Sequence, residues 1–278
     1  MSDISAILTD PAYGFVRLAL FVSAMASIPF GLVGTFVVVR RIGYLAGAIA
    51  HCAFGGIGIG LYLKHGLRWE FVDPLAVSLL VSVACAVLIG VIKRYAAERE
   101  DTVIGAIWAI GMAVGLLCLD KTPAGNASIS SYLFGDLYLV SDANAGAVAL
   151  LAVGVLIVTL LLFKHLEAVS FDEEHARLRG LPATFYFQLL LVMTAVTVVT
   201  MVQVVGMLLV VAMLTLPAAA AGRLTHRLFS MAMLAMLLCF LFSWSGIVVS
   251  VLLNFSSGPT VIAVAAAGYF LVLAVTKK

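Results

Sequence analysis

Few residues in this chain could do chemistry, and the first is His51, in the run RRIGYLAGAIAHCAFGGIGIG from Arg40 to Gly60. It is the one ionisable side chain near the middle of an apolar span. A charged residue at the bilayer centre costs about 2.5–3.5 kcal/mol on insertion scales, so such groups usually face a cavity or a partner. Two uses stay open: a neutral histidine hydrogen-bonded to a neighbouring helix, or a ligand or gate on a permeation path. Glycines crowd around it at Gly47, Gly55, Gly56, Gly58 and Gly60. Small residues let helices approach closely, which places this helix in the middle of a bundle and favours the path.

The second cluster is polar: KHLEAVSFDEEHARLRGLP, from Lys164 to Pro182. Glu167, Asp172, Glu173, Glu174, Arg177 and Arg179 lie between two apolar stretches, a longer connection than a simple return needs. The pattern predicts a short helix from Phe171 to Arg179, ended by Gly180 and Pro182. A charged helix beneath a membrane bundle is a docking surface, with Ala176 and Gly180 allowing close approach. Two absences bear on its purpose. There is no G-x-x-x-x-G-K-[ST] loop to cradle nucleotide phosphates. The fourteen acidic residues all map to loops or span ends, whereas ion-coupled carriers keep carboxylates inside the bundle. The chain therefore reads as a non-enzymatic transport subunit, driven by something it does not contain.

The elements that position these groups follow from composition. Hydrophobic residues make up 64% of the 278 and charged residues 11%, beyond what a soluble core requires. A span takes about 20 apolar residues. Nine are expected, at about 14–39, 43–63, 74–92, 102–119, 142–163, 186–203, 206–222, 229–251 and 259–276. The sixth and seventh run together at Gln203 to Gly206, and eight crossings result if they fuse. Charge favours nine. With the C-terminus inside, the inner face receives Arg40, Arg41, Lys93, Arg94, Arg99, Lys164, Arg177, Arg179, Arg223, Arg227, Lys277 and Lys278, twelve of the sixteen basic residues. Lys64, Arg68 and Lys121 stay outside, and Arg17 lies just within the first span. Asp3 and Asp10, with no basic residue before Pro11, argue against a secretory signal. Cys52, Cys85, Cys118 and Cys239 fall inside spans and read as small hydrophobes rather than a disulfide framework. The expected fold is all-α, a polytopic transmembrane helix bundle with one cytoplasmic coupling helix, residues 1–278 forming a single domain.

The order and spacing of several motifs carry a resemblance. Phe15 to Leu20 (FVRLAL), Arg40-Arg41 ahead of His51, Glu100 to Gly111 (EDTVIGAIWAIG) and Tyr132 to Ser141 (YLFGDLYLVS) come first. Ser170 to Pro182 (SFDEEHARLRGLP) and Val204 to Leu224 (VVGMLLVVAMLTLPAAAAGRL) follow. Together they resemble, almost end to end, the membrane subunit of the zinc/manganese/iron-uptake ABC transporters. The resemblance implies a homodimeric permease of the bacterial inner membrane. It implies an ATPase subunit docked on the coupling segment, at Asp172, Glu173, Ala176, Arg177 and Gly180, and an extracytoplasmic substrate-binding protein. It implies no bound cofactor and no nucleic acid, with lipid around the bundle and a divalent metal as cargo.

One departure matters. The family usually carries D-x-x-S-H ending at this histidine, and here Gly47 and Ala50 stand at the aspartate and serine positions. Residues four apart share a helix face, so the usual pair would offer carboxylate and imidazole to one cation. Manganese favours oxygen donors and imidazole suits zinc, so the loss tilts the cargo toward zinc, with manganese or iron next. A metal chelate moved by the same architecture is the alternative, and a stand-alone carrier or channel a weaker one. Asp136 could receive a binding protein or close a helical turn. Asp120, Lys121 and Asp142 read as solvated loop charges, and Pro29 and Pro217 as kinks within spans.

Overall fold

In hydrocarbon, long apolar runs satisfy their backbone polar groups within helices. The computed structural model describes residues 14–95, 100–122, 133, 135 and 140–276, and among these it contains helices and no strand. Nine of the described helices are long and apolar enough to cross a membrane. They are α1 (Gly14–Val39), α2 (Gly43–Leu61, prolonged by a π-helical turn at Tyr62–Gly66), α3 (Pro74–Tyr95), α4 (Glu100–Asp120) and α5 (Asp142–Phe171). After the short α6 (Glu173–Leu178) come α7 (Ala183–Val205), α8 (Met207–Leu224), α9 (Leu228–Leu253) and α10 (Ser257–Val275). The protein is an integral membrane protein of all-α architecture. Arg99, Asp136, Lys277 and Lys278 lie outside the described residues.

The expected spans fall on these helices, and one of them is longer than its apolar run. α5 runs past the expected end at residue 163 as far as Phe171. Hydropathy stops at Lys164, but lysine, leucine, glutamate and alanine are good helix formers, so the helix continues beyond the apolar run. The coupling helix is correspondingly shorter than Phe171 to Arg179. The sixth and seventh spans are two helices, parted at Gly206, whose φ of +81° and ψ of 156° suit glycine and strain other residues.

Named contacts assign the two faces. Arg40, at the end of α1, meets Glu173 of α6. The far end of α8, at Ala218 and Ala221, packs with Val38 and Val39 of α1, so α8 ends at this same face. Gly135, between α4 and α5, lies against Val205 and Gly206 at the other face. α7 therefore crosses one way and α8 back, which gives nine crossings among the described residues.

Burial ranks the helices. In the most apolar stretches of α1, α2 and α7, 72%, 78% and 67% of residues are buried, against 17% in α4 and α10. The glycine-rich α2 is central, as expected. Pro29 and Pro217 both sit within continuous helix.

Candidate functional site

α2 is held against α4 along one face. Gly55 abuts Gly111 and Gly58 abuts Gly115, where an added Cβ on either α2 glycine would strike an α4 carbonyl. Such contacts are how helices approach closely in a membrane. One and two turns earlier on that face come His51 and Gly47. At 1.5 Å per residue, His51 lies roughly 12 Å along α2, well inside the hydrocarbon.

His51 is half-buried, and its ring centroid is 4.9 Å from that of Trp108 on α4, with the planes inclined by 44°. Its Nδ1 is enclosed and has no hydrogen-bond partner among the described residues. That leaves Nε2 as the nitrogen able to meet an ion. Histidine ligands usually donate the second ring N–H to an acceptor, which no described residue supplies here. Trp108 also explains Gly47. A Cβ there would sit 3.0 Å from Cη2 and 3.2 Å from Cζ3 of the indole. The indole fills the side of α2 from which an aspartate at position 47 would project. Among the described residues, no three of His, Cys, Asp and Glu gather as a metal-holding group.

The segment expected to dock a partner is built more firmly. Asp172 separates α5 from α6 and accepts a hydrogen bond from the His175 N–H at 2.8 Å, capping the short helix. Its other end is a Schellman turn. The Leu181 N–H reaches the Ala176 carbonyl and the Gly180 N–H that of Arg177, with Gly180 at φ +82°. Ala176, expected to face a partner, is 1% exposed and packs against Val169 and Ala183. It seats the helix on its own chain. Most of the segment is turned outward, including Glu174, His175, Arg177, Leu178, Arg179 and, just before the cap, Phe171. Leu178 is 83% exposed.

Arg40 ties this segment to the bundle. Its guanidinium, 8% exposed, donates to the Val169 carbonyl at 2.6 Å and to Glu173 Oε2 at 2.6 Å, and lies 4.5 Å over the Phe187 ring. Glu173 Oε1 accepts in turn from Arg177 at 3.2 Å. Beside this network is a polar cavity of about 450 Å³, bordered by Lys93, Glu173, Arg177, Thr184 and Phe187. In sequence Arg40 counted only toward topology and a motif. Its acidic partner is 133 residues away, beyond any local spacing rule. Phe171 and Leu178 had a readable signal: bulky apolar residues in a stretch otherwise charged.

The chain is similar to known membrane transport proteins along almost its whole length. The model of the ABC 3 transport family matches residues 12–276. A probable metal transport system membrane protein of Chlamydia pneumoniae is 32% identical over 276 residues, covering 99% of this chain and 94% of its own length. A manganese transport system membrane protein of Listeria innocua is 27% identical, covering 93% of this chain and 90% of its own. Among solved structures, PsaBC from Streptococcus pneumoniae in complex with Fab matches with a TM-score of 0.85 at 26% identity, over 97% of this chain and 94% of the solved one.

Proposed function

The chain belongs to the ABC 3 transport family, and from that premise we propose that it is the permease subunit of an ATP-driven metal importer. Two copies form the translocation path, a separate ATPase subunit docks beneath α6, and a binding protein delivers the metal from the far side. The observation that carries this reading is α6 itself. A six-residue helix capped at both ends and pinned by Arg40 presents Leu178 and the Glu173-paired Arg177 outward. Phe171 and Leu178 add exposed apolar surface to this otherwise charged segment, which a docked partner would cover. The adjacent polar cavity offers that partner a place for a charged side chain.

His51 lines the path, and its imidazole without a carboxylate at position 47 favours zinc. Manganese is the second reading, supported by the name that the Listeria relative carries. Weak contact suits a path, since a tetrahedral zinc site wants four ligands.

The experiment is purification of the tagged chain in mild detergent with its companion subunits co-expressed. The expected result is an ATP-hydrolysing subunit in stoichiometric amount, lost in Gly180→Trp, which breaks the turn at φ +82°, while the chain stays inserted. Retention of both ATPase binding and transport in that variant overturns the docking assignment.

A further inference from the structure

Two of the four cysteines, 33 residues apart, meet inside the bundle. Cys85 Sγ on α3 lies 3.0 Å from Cys52 Sγ on α2, and Cys52 in turn points to the Ile107 carbonyl at 3.9 Å. Both are free thiols, 7% and 6% exposed. Beside them is an apolar cavity of about 410 Å³, bordered by Cys52, Cys85, Gly55, Leu88 and Ile110. Its rim residues Leu88 and Ile110 are 49% and 61% exposed, so it opens on the apolar flank of the spans. Cys118 and Cys239, on α4 and α9, have no thiol neighbour among the described residues.

We propose that Cys52 and Cys85 form an oxidisable dithiol whose reactant is an organic hydroperoxide dissolved in the membrane. A tetrahedral metal clamp would need further ligands, and among the described residues no third His, Cys, Asp or Glu gathers with this pair. A disulfide needs about 2.05 Å, which asks for an approach of roughly 1 Å between neighbouring helices. The apolar opening selects the oxidant: a neutral, lipid-soluble peroxide reaches the pair and a hydrated one is held back. One sulfur attacks the peroxide, taking an oxygen as sulfenic acid and releasing the alcohol. The second sulfur then displaces that oxygen as water. Two thiols give up two electrons and two protons, and the hydroperoxide becomes alcohol plus water. The product staples α2 to α3.

The test uses the intact chain in lipid vesicles treated with cumene hydroperoxide, then denatured, alkylated and mapped by peptide mass spectrometry. The expected result is loss of two alkylatable thiols per chain, a linked peptide joining Cys52 to Cys85, and recovery of both thiols with dithiothreitol. Cys118 and Cys239 serve as internal controls and stay alkylatable. If Cys52 and Cys85 also stay alkylatable, or if one is oxidised without becoming linked to the other, the proposal is wrong. Because α2 also carries His51, the staple should hold the proposed path, a consequence that rests on the permease reading. It is measured separately, as metal uptake lost on oxidation and regained on reduction. Unchanged uptake in linked protein removes that consequence and leaves the dithiol site standing.

Discussion

The Trp108 indole lies against the His51 imidazole, with ring centroids 4.9 Å apart, on the side of α2 where Gly47 has no side chain. The two positions belong together. A large ring on α4 fits because residue 47 is glycine, and an aspartate there would press on the ring. The missing carboxylate is thus part of a local repacking around the histidine.

This relationship changes what Gly47→Asp should do. Alone it overpacks the contact, which costs about 1–3 kcal/mol. We expect a lower melting temperature and no gain of manganese uptake. Combined with Trp108→Ala, which clears the space, the aspartate joins His51 on one helix face and manganese uptake should rise relative to zinc. Full stability of the single variant, with manganese uptake already raised, contradicts the repacking argument.

His51→Ala should lower uptake of the transported metal while leaving the chain inserted and bound to its ATPase subunit. The histidine is half-buried and makes no hydrogen bond through Nδ1 to any described residue, so its removal breaks no internal bond at that atom. Unchanged transport by a well-assembled variant would return His51 to an ordinary packing role.

Glu173→Ala leaves the Arg40 guanidinium, 8% exposed, without its carboxylate. Hydrogen bonds to charged groups contribute about 1.5–3 kcal/mol, and α6 should loosen on its seat by that order. The expected outcome is ATP hydrolysis that persists in the complex while uptake per ATP falls severalfold. Equal loss of both, or loss of neither, would show that this ion pair does not couple ATP hydrolysis to uptake.

Orientation is checked by single cysteines in a background lacking the four native ones. Cysteine in place of His175, exposed on α6, should react with an impermeant maleimide only after the membrane is opened. Labelling from outside intact cells would reverse the topology.

Much of the bundle was legible because a membrane leaves the backbone few options. The nine apolar runs, the basic bias and the polar stretch before Pro182 each follow from local composition. The sixth and seventh spans were ambiguous for a physical reason. A single glycine at φ +81° makes the break, and one residue leaves no hydropathy dip. The site was less legible. His51 stood out because an ionisable group is rare in hydrocarbon, but Trp108 reads as one more apolar residue until α4 is laid on α2. Ala176 illustrates the converse. Its small size suggested contact with a partner, and the same property lets it seat α6 on Val169 and Ala183. The Arg40–Glu173 and Cys52–Cys85 pairs depend on chain separations of 133 and 33 residues, which no periodicity encodes.

The most direct test of the permease reading is metal uptake by sealed vesicles containing the complete complex, with ATP supplied to the ATPase side. Radioactive zinc and manganese are offered with the binding protein on the other side. The account predicts accumulation that requires ATP, the ATPase subunit and an intact Gly180 turn, with zinc ahead of manganese. Accumulation by this chain without the ATPase subunit, or vigorous ATP hydrolysis that moves neither metal, would contradict it.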